Sequence, residues 1–247
     1  MRHIFLAFLL MFSLGNALPE DLDDAISSLV DDGRDAEAFQ VAREGAESGD
    51  PKAHEWLGWL YENGRGTDQD LERAAYHYGI AVESGLNYAR WRMGVMIDEG
   101  NAPGRLEDAV SLFELAANDD FTNAMTSLAV MQATGRGTPV DYEASLTNYM
   151  RAARAGNAHG VQGVGVLFAL GQGVPRDNLE AAAWFLVAAA LGNEQGEANF
   201  NAVAANLNQV EIEAIAERSR EIADGFDANV QIHFDPDEAG GKRAKAF

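Results

Sequence analysis

The sequence predicts an all-α protein, an α-solenoid of stacked antiparallel helix pairs. Three observations carry this. The 247-residue chain repeats itself: aligned on Ala53, further starts fall at Ala89, Ala124, Gly160 and Gly196, separated by 36, 35, 36 and 36 residues. Such a period marks an array of small helical units. Bulky residues recur four and eight places after each start, at Leu57, Met93, Leu128 and Val164 and then at Tyr61, Ile97, Gln132 and Phe168, a spacing that puts them on one helical face. A glycine-rich loop then follows at a fixed place in the period.

Taken in order, the elements begin with an amino-terminal pattern of its own. Arg2 precedes an apolar run from Ile4 to Leu14, and Gly15, Asn16 and Ala17 follow it. This reads as a secretory signal over residues 1–17, cleaved after Ala17, and the run is shorter than the ~20 residues a membrane helix needs. The mature chain is therefore expected to be exported, periplasmic in a Gram-negative bacterium and secreted otherwise, with no stable membrane insertion after signal removal. Residues 18–52 read as a degenerate helical repeat or cap.

Residues 53–195 hold four full units. In each, a small residue (Gly58, Gly94, Ala129, Gly165) sits beside the bulky ones and lets a neighbouring helix approach. The first helix is predicted to stop at Gly64, Gly100, Gly135 or Gly171, with Gly66, Gly137 and Gly173 two residues further on in three of the units. Glycine caps a helix in the left-handed conformation without steric penalty. Asp70, Asp141 and Asp177 then suit the start of the second helix. That helix carries Tyr78, Phe113, Tyr149 or Phe185, with Ala81, Ala116, Ala152 or Ala188 three residues later, and closes at Gly85, Gly156 or Gly192. The second unit is one residue short in its loop and has Asp120 at the closing position. Residues 196–226 keep helical apolar spacing without the glycine loop, as capping helices should, and residues 227–247 read as a flexible tail with a small basic cluster.

The tetrapeptide GRGT occurs twice, from Gly64 and from Gly135. A phosphate-binding loop occurs once, after a strand, with a lysine and a hydroxyl residue behind it. A loop that returns in step with aromatic and alanine positions is a turn.

The combined pattern A-x-x-x-L-G-x-x-Y-x-x-G-x-G, an acidic loop, and A-x-x-Y/F-x-x-A-x-x-x-G resembles the Sel-one-like repeat of the tetratricopeptide-like superfamily, over about Ala53 to Gly192. The resemblance implies a right-handed superhelix whose concave face binds another protein. By analogy with the tetratricopeptide arrangement, the inward positions fall two, six and nine residues after each start. They are Glu55, Trp59 and Glu62; Trp91, Val95 and Asp98; Thr126, Val130 and Ala133; Gln162, Val166 and Ala169. Two readings of the tryptophans stay open: they anchor a partner segment, or they pack between helices. The acidic members would select a basic or amino-terminal cationic stretch. Trp184, next to Phe185, is expected to be structural.

Composition sets further limits. The formal charge is −21, so the surface field repels nucleic acid and favours cationic partners. There is no cysteine, which removes disulfides and thiolate zinc sites. The histidines, His3, His54, His77, His159 and His233, form no ligand set by spacing, and DPDEAGG at Asp235 lacks the closing glutamate of a calcium loop. No nucleophile motif is present. Neither a cofactor nor a metal is expected, and the leading reading is a non-enzymatic, exported interaction scaffold or regulator. The alternative implied by the resemblance is a cell-envelope hydrolase or β-lactam-recognising protein on the same repeats, a type that relies on disulfide-linked units.

Overall fold

The structure is a computed structural model describing residues 21–227 and residue 230. The signal sequence expected over residues 1–17 lies outside the described residues, as does most of the expected tail. Twelve α-helices and no strands occur among the described residues. In chain order they are α1 (Leu22–Asp31), α2 (Asp35–Glu47), α3 (Pro51–Asn63), α4 (Leu71–Glu83), α5 (Asn87–Asp98) and α6 (Leu106–Asn118). There follow α7 (Thr122–Thr134), α8 (Tyr142–Arg154), α9 (Ala158–Leu170), α10 (Asn178–Ala190), α11 (Glu194–Ala204) and α12 (Gln209–Asp224). The fold class is thus the all-α solenoid type, built of helix pairs that pack on their sequence neighbours. The chain divides into two compact units within α5, the first ending at Met93 and the second starting at Gly94.

The caps explain where the helices begin and end. Asp70, Asp141 and Asp177 each stand in extended backbone before a second helix, and each side chain accepts an N–H from the first turn, at 2.9 Å from Arg73, Ala144 and Leu179 respectively. One otherwise orphan donor is satisfied at each terminus. At the other end, Gly64, Gly135 and Gly171 adopt φ of 63°, 72° and 70°, and their N–H groups bond back to Leu60, Met131 and Leu167. The short second loop has no aspartate in the capping place. Asp108 compensates by reaching back to accept the Arg105 N–H at 2.8 Å.

The second glycine of each loop has a different reason to be glycine. A Cβ on Gly66 would lie 2.2 Å from the Asp35 carbonyl oxygen, one on Gly137 would lie 2.5 Å from that of Leu106, and one on Gly173 would meet Tyr142 at 2.9 Å. Asp35, Leu106 and Tyr142 are the first residues of α2, α6 and α8. The loop of one hairpin therefore lies directly against the start of the preceding second helix. The intervening arginines clamp the same junction: Arg65 donates to Asp35 at 2.9 Å and to the Val30 carbonyl at 3.1 Å, while Arg136 donates to Asp98. GRGT is a stacking device.

Inside three of the four hairpins a glycine beside the bulky residues meets an aromatic face. A Cβ on Gly58 would come within 2.6 Å of the Tyr78 ring, and the same distance separates Gly94 from Phe113 and Gly165 from Phe185. In the first unit the core runs through Ile26, Ala42, Ala53, Leu57, Leu60 and Tyr78. In the second it gathers Tyr149, Val161, Val164, Leu167, Phe185 and Ile215. Helix α10 is buried on every side from Ala181 to Ala189, because α9, α11 and α12 all pack on it. A helix apolar all round needs such cover, and Trp184 belongs to this core, 6% exposed, its indole N–H donating to Glu180 at 3.0 Å.

The third unit solves the loss of its aromatic residue with polarity. Where Tyr61 stacks on His77 in the first full unit (centroids 5.6 Å apart, planes 10° from parallel), Gln132 accepts a hydrogen bond from the Asn148 amide at 3.0 Å. Met131, 1% exposed, fills the apolar space beside them.

Candidate functional site

Aromatic side chains are concentrated at the start of the array. Three of the four tryptophans, Trp56, Trp59 and Trp91, lie before Met93, and all three are only half-buried. Trp56 and Trp59 sit three residues apart on α3, hence on one face, with ring centroids 5.7 Å apart and planes nearly perpendicular. Together with Tyr88 at the start of α5 they wall a cleft of about 510 Å³, a size within the usual range of ligand sites. Its floor includes Val30, and its charged members are Asp23, Asp31, Lys52, Glu55 and Arg65.

Most of these charges already have partners. Glu55, 7% exposed, accepts from the Lys52 ammonium at 2.8 Å and from the Ala89 N–H at 3.1 Å. It thereby caps the first turn of α5 from the preceding hairpin, where the helix dipole favours an anion. Lys52 also stands 3.6 Å from Asp23, which accepts the Trp56 indole N–H at 2.7 Å. Burial opposes the Lys52 charge, but Glu55 and Asp23 more than offset it and raise its pKa above the ordinary lysine value. The Arg65 guanidinium stacks over Trp59 at 5.4 Å while bonded to Asp35. Two carboxylates gathered on one ammonium form an ion-pair network.

Behind the cleft, Glu62 accepts from the Tyr78 hydroxyl at 2.8 Å and from both Nε and Nη2 of Arg92. Arg92 lies over the Trp91 ring at 5.1 Å, and Trp91 in turn meets Tyr88 edge-on at 5.6 Å. Burial disfavours the Arg92 charge, yet the Glu62 carboxylate holds its pKa above the usual value. Burial likewise pushes the Tyr78 and Tyr88 phenols upward, so both stay protonated, and Tyr78 donates to Glu62.

The inward positions read from sequence thus separate into groups. Glu55 and Trp59 line the cleft, and Glu62 and Trp91 belong to the network beside it. In the second unit Val95, Gln162 and Val166 are half-buried, Val130 is 40% exposed and Asp98 pairs with Arg136. The acidic positions Glu55, Glu62 and Asp98 all hold internal donors. Trp56, Tyr88, Asp23 and Asp31 escaped the sequence reading. Trp56 was accessible to it, since three residues from Trp59 is the same helical face; Asp23 and Asp31 belong to α1, where no repeat register could be assigned.

His54 and His77 meet across the α3–α4 hairpin, Nδ1 to Nδ1 at 2.9 Å. No group of three or more His, Asp or Glu side chains placed to hold a metal occurs among the described residues, and no described helix is long and apolar enough to cross a membrane.

The Sel1 repeat matches at residues 51–86, 87–121, 122–157 and 162–193, more than half of the chain. No curated protein sequence matches significantly. Among solved structures, a protective antigen of uropathogenic Escherichia coli strains displaying an SLR fold is similar with a TM-score of 0.71 and 24% identity, over 76% of this chain. The chain spans 41% of that antigen's length. A Sel1 repeat protein from Oxalobacter formigenes has a TM-score of 0.69 and 22% identity, covering 84% of this chain and 86% of the other. An immunity protein from Pseudomonas aeruginosa has a TM-score of 0.54 and 17% identity, with 86% of each chain covered. At these identities the likeness is one of fold.

Proposed function

The chain belongs to the Sel1 repeat family, and on that premise we propose that it is an exported, non-enzymatic scaffold that binds a segment of another protein through its first unit. Repeats of this family generally bind proteins, and the observation that carries the reading here is the cleft walled by Trp56, Trp59 and Tyr88. Half-buried aromatic side chains in a concave site are the usual anchors of protein recognition, and these three are not consumed by the core as Trp184 is. Two of the cleft's three carboxylates, Asp23 and Glu55, serve an ion-pair network around Lys52, an arrangement that supports binding over acid–base chemistry. The pattern Arg2, Ile4 to Leu14 and Ala17 supports placement outside the cytoplasm, in the periplasm if the cell is Gram-negative and in the medium otherwise.

Site-specific photocrosslinking tests the proposal. A photoreactive residue at Lys52, on the cleft, should trap a discrete partner adduct in the native compartment, and one at Glu72, exposed on α4, should not. Identical adducts from both positions, or none from either, would count against the cleft.

A further inference from the structure

Three arginines of the first unit share one arrangement. Arg65 lies over the Trp59 ring and is bonded to Asp35; Arg92 lies over Trp91 and is bonded to Glu62; Arg73 lies over Tyr61 at 5.3 Å and pairs with Asp70 at 3.0 Å. In each, a planar cation is held between an aromatic face and a carboxylate, the two features that guanidinium recognition exploits. The cleft contains the same two ingredients once more. Trp56 and Tyr88 line it with no cation stacked on them among the described residues, and Asp31 lines it with a side chain that makes no hydrogen bond or ion pair among the described residues. The lining carboxylates Asp23, Asp31 and Glu55 outnumber the cations Lys52 and Arg65, in a chain whose formal charge is −21.

We infer that the cleft is a seat for an arginine side chain of the partner segment, stacked on the Trp56 and Tyr88 rings and paired with Asp31. This rests on the reading of the cleft as a partner site and specifies its chemistry. Arginine is favoured over lysine because a guanidinium can stack and donate to a carboxylate at the same time, whereas an ammonium stays more strongly hydrated. Glu55, Glu62 and Asp98 take no part, since each already holds an internal donor.

The test uses the full chain immobilised and five pools of nine-residue peptides, mixed at every position except the centre, which is fixed as arginine, lysine, citrulline, leucine or glutamate. The arginine pool should be retained at least about tenfold over citrulline, its neutral isostere, and lose several-fold of its retention in 0.5 M salt, since exposed ion pairs are screened there. Asp31→Asn should abolish the preference for arginine over citrulline, and the exposed position of Asp31 lets the variant fold; an unchanged melting temperature checks this. Equal retention of arginine and citrulline, no retention of arginine, or a preference that survives Asp31→Asn would overturn the inference. The photocrosslink at Lys52 reports separately on the scaffold reading, which survives if a partner is trapped there while the arginine preference is absent.

Discussion

His54 Nδ1 lies 2.9 Å from His77 Nδ1, the two imidazoles tilted 33° with centroids 5.1 Å apart. One ring must donate and the other accept, so the contact needs at least one unprotonated Nδ1. Burial lowers the His77 pKa to about 4, with His54 and Arg73 adding to the effect, and burial also lowers His54 against the pull of the Ala46 carbonyl and Asp50. Tyr61 stacked on one side and Tyr76 edge-on at 5.2 Å complete the surroundings of His77.

A pH dependence follows from that pair. In the unfolded chain both imidazoles take up protons near 6.5, whereas in the fold His77 resists protonation down to about 4 and His54 is also held below its ordinary value. The unfolded state binds more protons in this window, so stability is full above 6.5 and falls as pH drops toward 4. Melting temperature measured from pH 7.5 to 5.5 should fall in the parent chain and fall less in His77→Phe, the difference isolating the histidines from carboxylates that titrate lower.

Gly66 and Gly49 make a matched pair of tests. Both have positive φ, 70° and 84°, but a Cβ at Gly49 enters open space while one at Gly66 meets the Asp35 carbonyl at 2.2 Å. Gly49→Ala should cost about 1 kcal/mol for the left-handed backbone alone. Gly66→Ala should cost several times more, because the loop must lift off the start of α2. Urea unfolding of both variants checks the ratio; equal losses would mean the junction is not tight.

Asp120 is the only non-glycine residue with positive φ among those described, at 60°. The equivalent position in other units is Gly85, Gly156 or Gly192. Its carboxylate pairs with Arg151 at 2.8 Å, but the side chain is 84% exposed, so little is lost with the pair. Asp120→Gly is expected to stabilise the chain by up to about 1 kcal/mol, read as a rise in urea midpoint at constant slope.

Gln132 and Asn148 should behave as a unit. Gln132→Leu alone leaves the Asn148 amide, 8% exposed, without its acceptor, at a cost of roughly 1–3 kcal/mol. Adding Asn148→Leu removes the stranded donor and should recover most of that loss. A double-mutant cycle by chemical denaturation measures the coupling, and simple additivity would contradict the pairing.

Much of the fold could be read from the chain because its code is local. Gly64, Asp70 and Tyr78 each do a job set by their own helix, so their recurrence revealed the hairpin. The candidate site was harder. Glu55, Glu62 and Asp98 were visible as charges on a helical face, yet what they do depends on Ala89, Arg92 and Arg136, which lie 34, 30 and 38 residues away. Those separations are close to one period, so the partners were in reach of a reading that asked what each unit offers the next. Asp31 and Asp23 were beyond it, because α1 carries no repeat signature to fix its register.

The asparagines that open two successive hairpins, at the starts of α9 and α11, are each joined to the hairpin before. Asn157 donates to Asn123 at 3.0 Å, and Asn193 meets His159 at 3.2 Å, each bond spanning 34 residues. A seam of this kind is indifferent to copy number: excising a stretch of one whole period splices like onto like, whereas a cut of any other length leaves an amide facing the wrong neighbour. From α7 to α11 the stack is thus tied by links that tolerate a change of length only in whole steps.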